Sequence, residues 1–214
     1  RWAYLAKNLC MILDAPTGQP YYDLLKILQG KNYHILTTNQ DTQFARIFPA
    51  EKISAIQGDW RYFQCSHRCH DALYDSVETL HRLKNAVSPE LTVPSNMIPR
   101  CPKCGAEMEP WVRGWTFLEG KKYREEYGKL NAFLNSNKDK KILFLEIGVG
   151  RMTPMFIQEP FWNLTYTLPD AFYITINPKD ARVPKELLSK GLALHEDIAK
   201  VLTDVQNYPS EENL

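Results

Sequence analysis

The chain has 214 residues, 44% of them hydrophobic and 12% aromatic, which suits one large domain or one domain with a small insert and argues against wholesale disorder. A net charge of +1 gives no electrostatic case for nucleic acid or an anionic membrane surface. No apolar run reaches the roughly 18 residues of a spanning helix, and no secretory signal is visible.

The first residues, Trp2-Ala3-Tyr4-Leu5-Ala6-Lys7-Asn8-Leu9, already read as helical and follow no methionine, so a fragment or processed product of a longer protein is expected. Amphipathic helices are predicted over 1–13 and 19–29, separated by a Pro16/Gly18/Pro20 turn. Strands are predicted at 33–38, 141–147 and 171–176, the second apolar on both faces for most of its length. Helical patterns cover 121–137 and 184–203. Buried apolar strands alternating with helices predict an α/β fold built on a parallel sheet with crossover helices. Residues 60–116 break the rhythm and carry four cysteines, with a helix near 71–86 inside them. The expected organisation is therefore 1–59 and 117–207 as two parts of one domain, 60–116 as an insert, and 208–214 as a polar tail.

Cys65/Cys69 and Cys101/Cys104 are two pairs suited to a tetrahedral four-thiolate zinc site. The second pair sits in Arg100-Cys101-Pro102-Lys103-Cys104-Gly105, a knuckle that turns two sulfurs toward one ion. Such a closed site keeps no position for a reactive water, so it is structural. His67 and His70 flank Cys69 and are alternative ligands. Five cysteines used this way fit a reducing, cytoplasmic compartment better than a disulfide framework, with Cys10 read as a buried thiol.

Ligands of open α/β sheets bind beyond the carboxyl ends of the strands. Three polar loops follow the predicted strands there: Thr37-Thr38-Asn39-Gln40-Asp41, Gly148-Val149-Gly150-Arg151, and Asn177-Pro178. Singly, each has a plain explanation, as a glycine turn or a helix cap. Together they predict a nucleotide crevice. Arg151 is either a phosphate partner or an exposed side chain, and Phe156, Phe161, Trp162 and Tyr166 are either a channel lining or core.

In order, Thr37-Thr38-Asn39-Gln40-Asp41, Gln57-Gly58, the cysteine pairs, Gly148-Val149-Gly150 and Asn177 resemble the sirtuin family over residues 33 to 203. The resemblance implies a Rossmann-like NAD domain with a small zinc-binding module, whose upstream glycine-rich pyrophosphate segment this chain does not include. It implies NAD contacts from Thr38, Asn39, Asp41, Gly148, Val149, Gly150, Asn177, Asp197 and Ile198, and catalytic roles for Asn39 and Gln57. Gln57 stands where the family carries its histidine base. A glutamine amide donates and accepts hydrogen bonds but takes no proton near pH 7, which disfavours deacylation.

Gln57-Gly58-Asp59, Phe63-Gln64-Cys65-Ser66, Cys69-His70-Asp71, 144–150, Thr153-Pro154 and Pro160-Phe161-Trp162 are similar to the macrodomain-linked class M sirtuins. That resemblance implies protein ADP-ribosylation with release of nicotinamide. It also implies a lipoylated glycine-cleavage H-like carrier as acceptor, and a macrodomain hydrolase and a lipoate ligase as functional neighbours. Bond breaking at the ribose needs positioning and electrostatic support more than a strong base. A protein deacylase and a non-catalytic NAD-binding module are the alternatives.

Overall fold

The computed structural model describes residues 1–208; residues 209–214, most of the expected polar tail, lie outside the described residues. In chain order the elements are α1 (Trp2–Asp14), α2 (Gln19–Ile27), β1 (Ile35–Thr37), α3 (Gln43–Ile47), β2 (Ile53–Ala55), β3 (Gly58–Cys65), β4 (Tyr74–Asp75), α4 (Val77–Asn85), β5 (Met108–Val112), α5 (Lys121–Asn137), β6 (Ile142–Ile147), α6 (Gln158–Thr167), β7 (Ala171–Ile176), β8 (Gly191–Leu194) and α7 (Ile198–Asn207). Two compact units emerge: Arg1–Pro16, Thr37–Arg46 and Ile53–Gly128 form one, and Thr17–Leu36, Ile47–Lys52 and Lys129 onward form the other.

In the first unit, Trp2, Ala6, Leu9 and Cys10 recur at helical spacing and form the buried stripe of α1. They pack with Phe63, Leu80, Leu83 and Met108 into one core, where Trp2 meets Phe63 edge to face at 5.6 Å. The last carbonyls of α1 would otherwise lack intrahelical donors. Arg46 supplies them, donating to Leu13 O at 2.8 Å, to Ile12 O at 3.2 Å and to Ala15 O. β4, β3 and β5 form an antiparallel sheet, with an irregularity between Gly58 and Phe63. Buried Gln64 holds the turn after β5: its Nε2 donates to Glu109 at 2.8 Å and to Thr116 O, and its Oε1 accepts Leu118 N at 2.9 Å. Trp115, within that turn, is wholly exposed.

In the second unit, β6, β7 and β8 are parallel neighbours, with Ile142 opposite Ala171 and Ile147 opposite Ile176. Phe144, Glu146, Tyr173 and Thr175 line the buried face. Phe161 and Trp162 of α6 pack on Phe144 and Tyr173, so these two aromatics are core, while Tyr166 is exposed. β6 is less uniformly buried than its composition predicts, since Leu143 is 54% exposed and its partner Phe172 41%.

Two predicted helices need correction. Residues 184–203 are not one helix but a short turn at Lys185–Leu187, then β8 and the start of α7. Gly191 brings β8 so close to Val183 that a Cβ there would stand 2.8 Å from its Cγ1, and tertiary pairing overrides local helical propensity. The helix expected near 71–86 starts at Val77, because Tyr74 and Asp75 pair with Phe63 and Tyr62 instead.

Candidate functional site

The four paired cysteines converge. Their sulfurs lie within 4.8 Å of one another, with Cys65 to Cys104 at 3.5 Å and Cys69 to Cys101 at 3.6 Å. Zinc–sulfur bonds of about 2.3 Å in tetrahedral array put sulfurs about 3.8 Å apart, so this set fits zinc. All are free thiols, well beyond the about 2.05 Å of a disulfide bond. The chain turns at Arg68, with φ 49°, and at Gly105, with φ 72°, to aim them. Burial opposes ionisation of Cys101, but the backbone N–H groups of Cys104 and Lys103 and the neighbouring thiols bring it down to about 7. Burial and those neighbours push Cys69 up to about 12.

His67 is exposed and not part of the cluster. His70 stands beside it, Nδ1 3.1 Å from Cys69 Sγ and Nε2 2.7 Å from the Tyr74 hydroxyl. A metal-bound thiolate only accepts, so the compatible tautomer donates from Nδ1 to the sulfur and accepts from Tyr74. Cys10 is fully buried in the first-unit core, where burial pushes its thiol up.

The first unit also gathers the loop after β1 and the turn carrying Gln57. Thr37 O accepts Ile56 N at 3.2 Å, and Thr37 Oγ1 accepts Asn39 N at 3.0 Å. Gln40 Nε2 donates to Gln57 O at 3.1 Å, joining loop to turn. Asp41 accepts Gln43 N at 3.1 Å, so it caps α3. Asn39 is exposed and Thr38 half-buried. The turn is fixed by Gly58: its φ is 87°, and a Cβ there would fall 2.0 Å from Trp111 O. Gln57 Nε2 is buried and has no hydrogen-bond partner among the described residues. An orphaned donor is costly unless a ligand or water meets it.

The sequence left Arg113 without a role. Its N–H donates to Gln57 O at 2.9 Å, and its side chain pairs with Glu119 and lies 4.3 Å over the Phe117 ring. Its signal was a lone arginine after β5, which sequence alone does not link to Gln57.

The second unit brings together the residues expected at the adenosine end. Gly148 N donates to Ile176 O at 2.9 Å, and Asn177 Nδ2 donates to Val149 O at 3.0 Å. Asn177 Oδ1 accepts Lys179 N and Asp180 N, both at 2.9 Å. Gly148 has φ 70°, and a Cβ on it would lie 3.1 Å from Ile198 Cδ1. Asp197 accepts Lys200 N at 3.0 Å and caps α7. Gly150 is open: no atom lies within 4 Å of an added Cβ. Arg151 forms an ion pair with Asp180.

No family model matches the chain. It is 36% identical over 206 residues to a protein ADP-ribosyltransferase of Staphylococcus aureus, spanning 94% of this chain and 65% of that protein. It is 29% identical over 170 residues to a probable bifunctional ADP-ribose hydrolase/ADP-ribosyltransferase of Fusarium oxysporum f. sp. cubense, spanning 75% of this chain and 28% of that one. The chain thus spans less than two thirds of both relatives. Among solved structures, a histidine-to-asparagine mutant of a Sir2 homologue in complex with ADP-ribose has a TM-score of 0.61 at 15% identity, covering 96% of this chain and 71% of that one. A Sir2 enzyme studied for mechanism and regulation also gives 0.61 at 16% identity, covering 90% and 70%. The chain therefore has the sirtuin-like α/β fold, parallel strands together with a four-cysteine cluster fit for zinc.

Proposed function

We propose that this chain is part of an NAD-dependent protein ADP-ribosyltransferase. The observation that carries the reading is the side chain of Gln57: a buried, unpartnered amide donor bonded through its backbone to the Thr37–Asp41 loop. It is a group that orients a ribose hydroxyl or an incoming nucleophile and cannot act as a base near pH 7. NAD supplies the ADP-ribosyl group and nicotinamide as the leaving group. Asn39 orients the nicotinamide ribose, with Thr38 and Asp41 shaping the same loop. Gly148, Val149 and Gly150 present backbone to the phosphates or the adenosine ribose. Asn177, whose Oδ1 already accepts two backbone N–H groups, has its second Nδ2 hydrogen to donate to a hydroxyl of that ribose, and Asp197 and Ile198 border the adenine. Zinc on the four cysteines is structural. The name of the Staphylococcus relative supports this reading.

The proposed acceptor is a lipoylated H-like carrier protein in the cytoplasm, served by a lipoate ligase and a macrodomain hydrolase. A relative whose name joins ADP-ribose hydrolase to ADP-ribosyltransferase supports the last pairing. The test is intact-mass spectrometry of that carrier after incubation with NAD and the full-length protein, alongside an acetylated peptide. An ADP-ribose adduct on the carrier is expected. Loss of acetyl without an adduct would establish a deacylase, and NAD binding with neither product a binding module.

A further inference from the structure

The segment that leaves β6 at Gly148 passes through one 3-10 turn at Pro154–Phe156 and reaches α6 at its first residue, Gln158. Its start is fixed to the end of β7 by the Gly148–Ile176 and Val149–Asn177 bonds. Its far end is fixed by a buried carboxyl. Glu146, next to last in β6, is 1% exposed. Its Oε1 accepts Gln158 Nε2 at 3.0 Å and Thr175 Oγ1 at 2.9 Å, and its Oε2 accepts the Tyr173 hydroxyl at 2.7 Å. Gln158 is itself 2% exposed, and its Oε1 accepts the Arg182 guanidinium at 3.1 and 3.3 Å.

An apolar residue of similar volume would fill this part of the core at no desolvation cost. A carboxyl is favoured only if the directions of its bonds matter. Two of its three donors lie on β7, which is already held to β6 by the parallel ladder. The third, Gln158, comes from beyond the loop and has no ladder to hold it.

We propose that Glu146 is a positioning residue: through Gln158 it holds the far end of the 148–157 loop and sets the geometry of the backbone offered to NAD. The inference rests on the site reading above. Arg182, bonded to the other end of the same amide, fixes which way that amide faces.

The test uses the full-length protein and two readouts: hydrogen exchange of the 149–157 amides, and NAD binding and turnover. Gln158→Leu removes the bond across the loop and leaves Tyr173 and Thr175 on Glu146. It should speed exchange in the loop and raise the Kd for NAD about tenfold each, the scale of one buried hydrogen bond, with kcat unchanged. The exchanged pair, Glu146→Gln with Gln158→Glu, again places a donor opposite an acceptor and should recover both. Wild-type exchange in Gln158→Leu, or no recovery in the exchanged pair, overturns the proposal. Protection lost equally through β6 and β7 also overturns it, by making the carboxyl a core strut. The expected exchange pattern in a protein that binds no NAD overturns the site reading and the nucleotide role with it, and leaves only the hold on the loop.

Discussion

Gln40 donates its side-chain amide to the carbonyl of Gln57 at 3.1 Å, tying the loop after β1 to the turn before β3. The side-chain amide nitrogen of Gln57 is buried and meets no acceptor among the described residues. Gln57→Ala should therefore lower ADP-ribosyl transfer about 100-fold, the effect of removing one preorganised donor, with no fall in thermal midpoint. Asn39→Ala should abolish transfer. Intact-mass kinetics with NAD read both, and unchanged transfer in both would remove these residues from the site.

Gly58 cannot carry a side chain as the turn stands. Its φ of 87° and the 2.0 Å approach of a Cβ to Trp111 O add backbone strain to a clash with backbone. Gly58→Ala should cost about 3 kcal/mol, the sum of modest strain and overpacking. Urea unfolding measures it, and a loss under half that would mean the turn relaxes easily.

The two glycines of the loop after β6 should behave differently. Gly148 has a positive φ and a close neighbour in Ile198, while Gly150 has neither. Gly148→Ala should destabilise by about 1 kcal/mol, whereas Gly150→Ala should leave the thermal midpoint where it was. Equal effects would show that the loop is not organised through Gly148.

His70 gives the cysteine cluster a neighbouring donor. His70→Ala should keep stoichiometric zinc but weaken its retention about tenfold, the usual scale for such outer contacts. Cys101→Ser should lose the metal and solubility together. Colorimetric zinc release during chelator competition separates the two, and identical release from His70→Ala and wild type would leave the histidine no part in holding the ion.

The α/β class was legible because short continuous apolar runs rich in aromatic and β-branched residues, such as Ala171–Ile176, alternate with longer helical patterns. The cysteine cluster was legible because pair spacing survives folding. β8 was not: Gly191-Leu192-Ala193-Leu194 carries weak local preference, and only its partner Tyr173–Ile176 makes it a strand. The ties of Gln40 and Arg113 to Gln57, and the Glu146 network, join residues far apart in sequence, and no local pattern announces them. Arg151, open in the sequence between a phosphate partner and an exposed side chain, is exposed and pairs with Asp180.

Trp115 stands in full solvent on a turn whose flanks Gln64 clamps from inside, while Trp2 and Trp111 are nearly inaccessible. The protein thus carries its own optical reporter. Of the five tryptophans, Trp60 and Trp162 are half-buried, so iodide should quench the red-edge emission of Trp115 most, those two less and the two enclosed ones least, and any macromolecule settling over that turn would be read without a label.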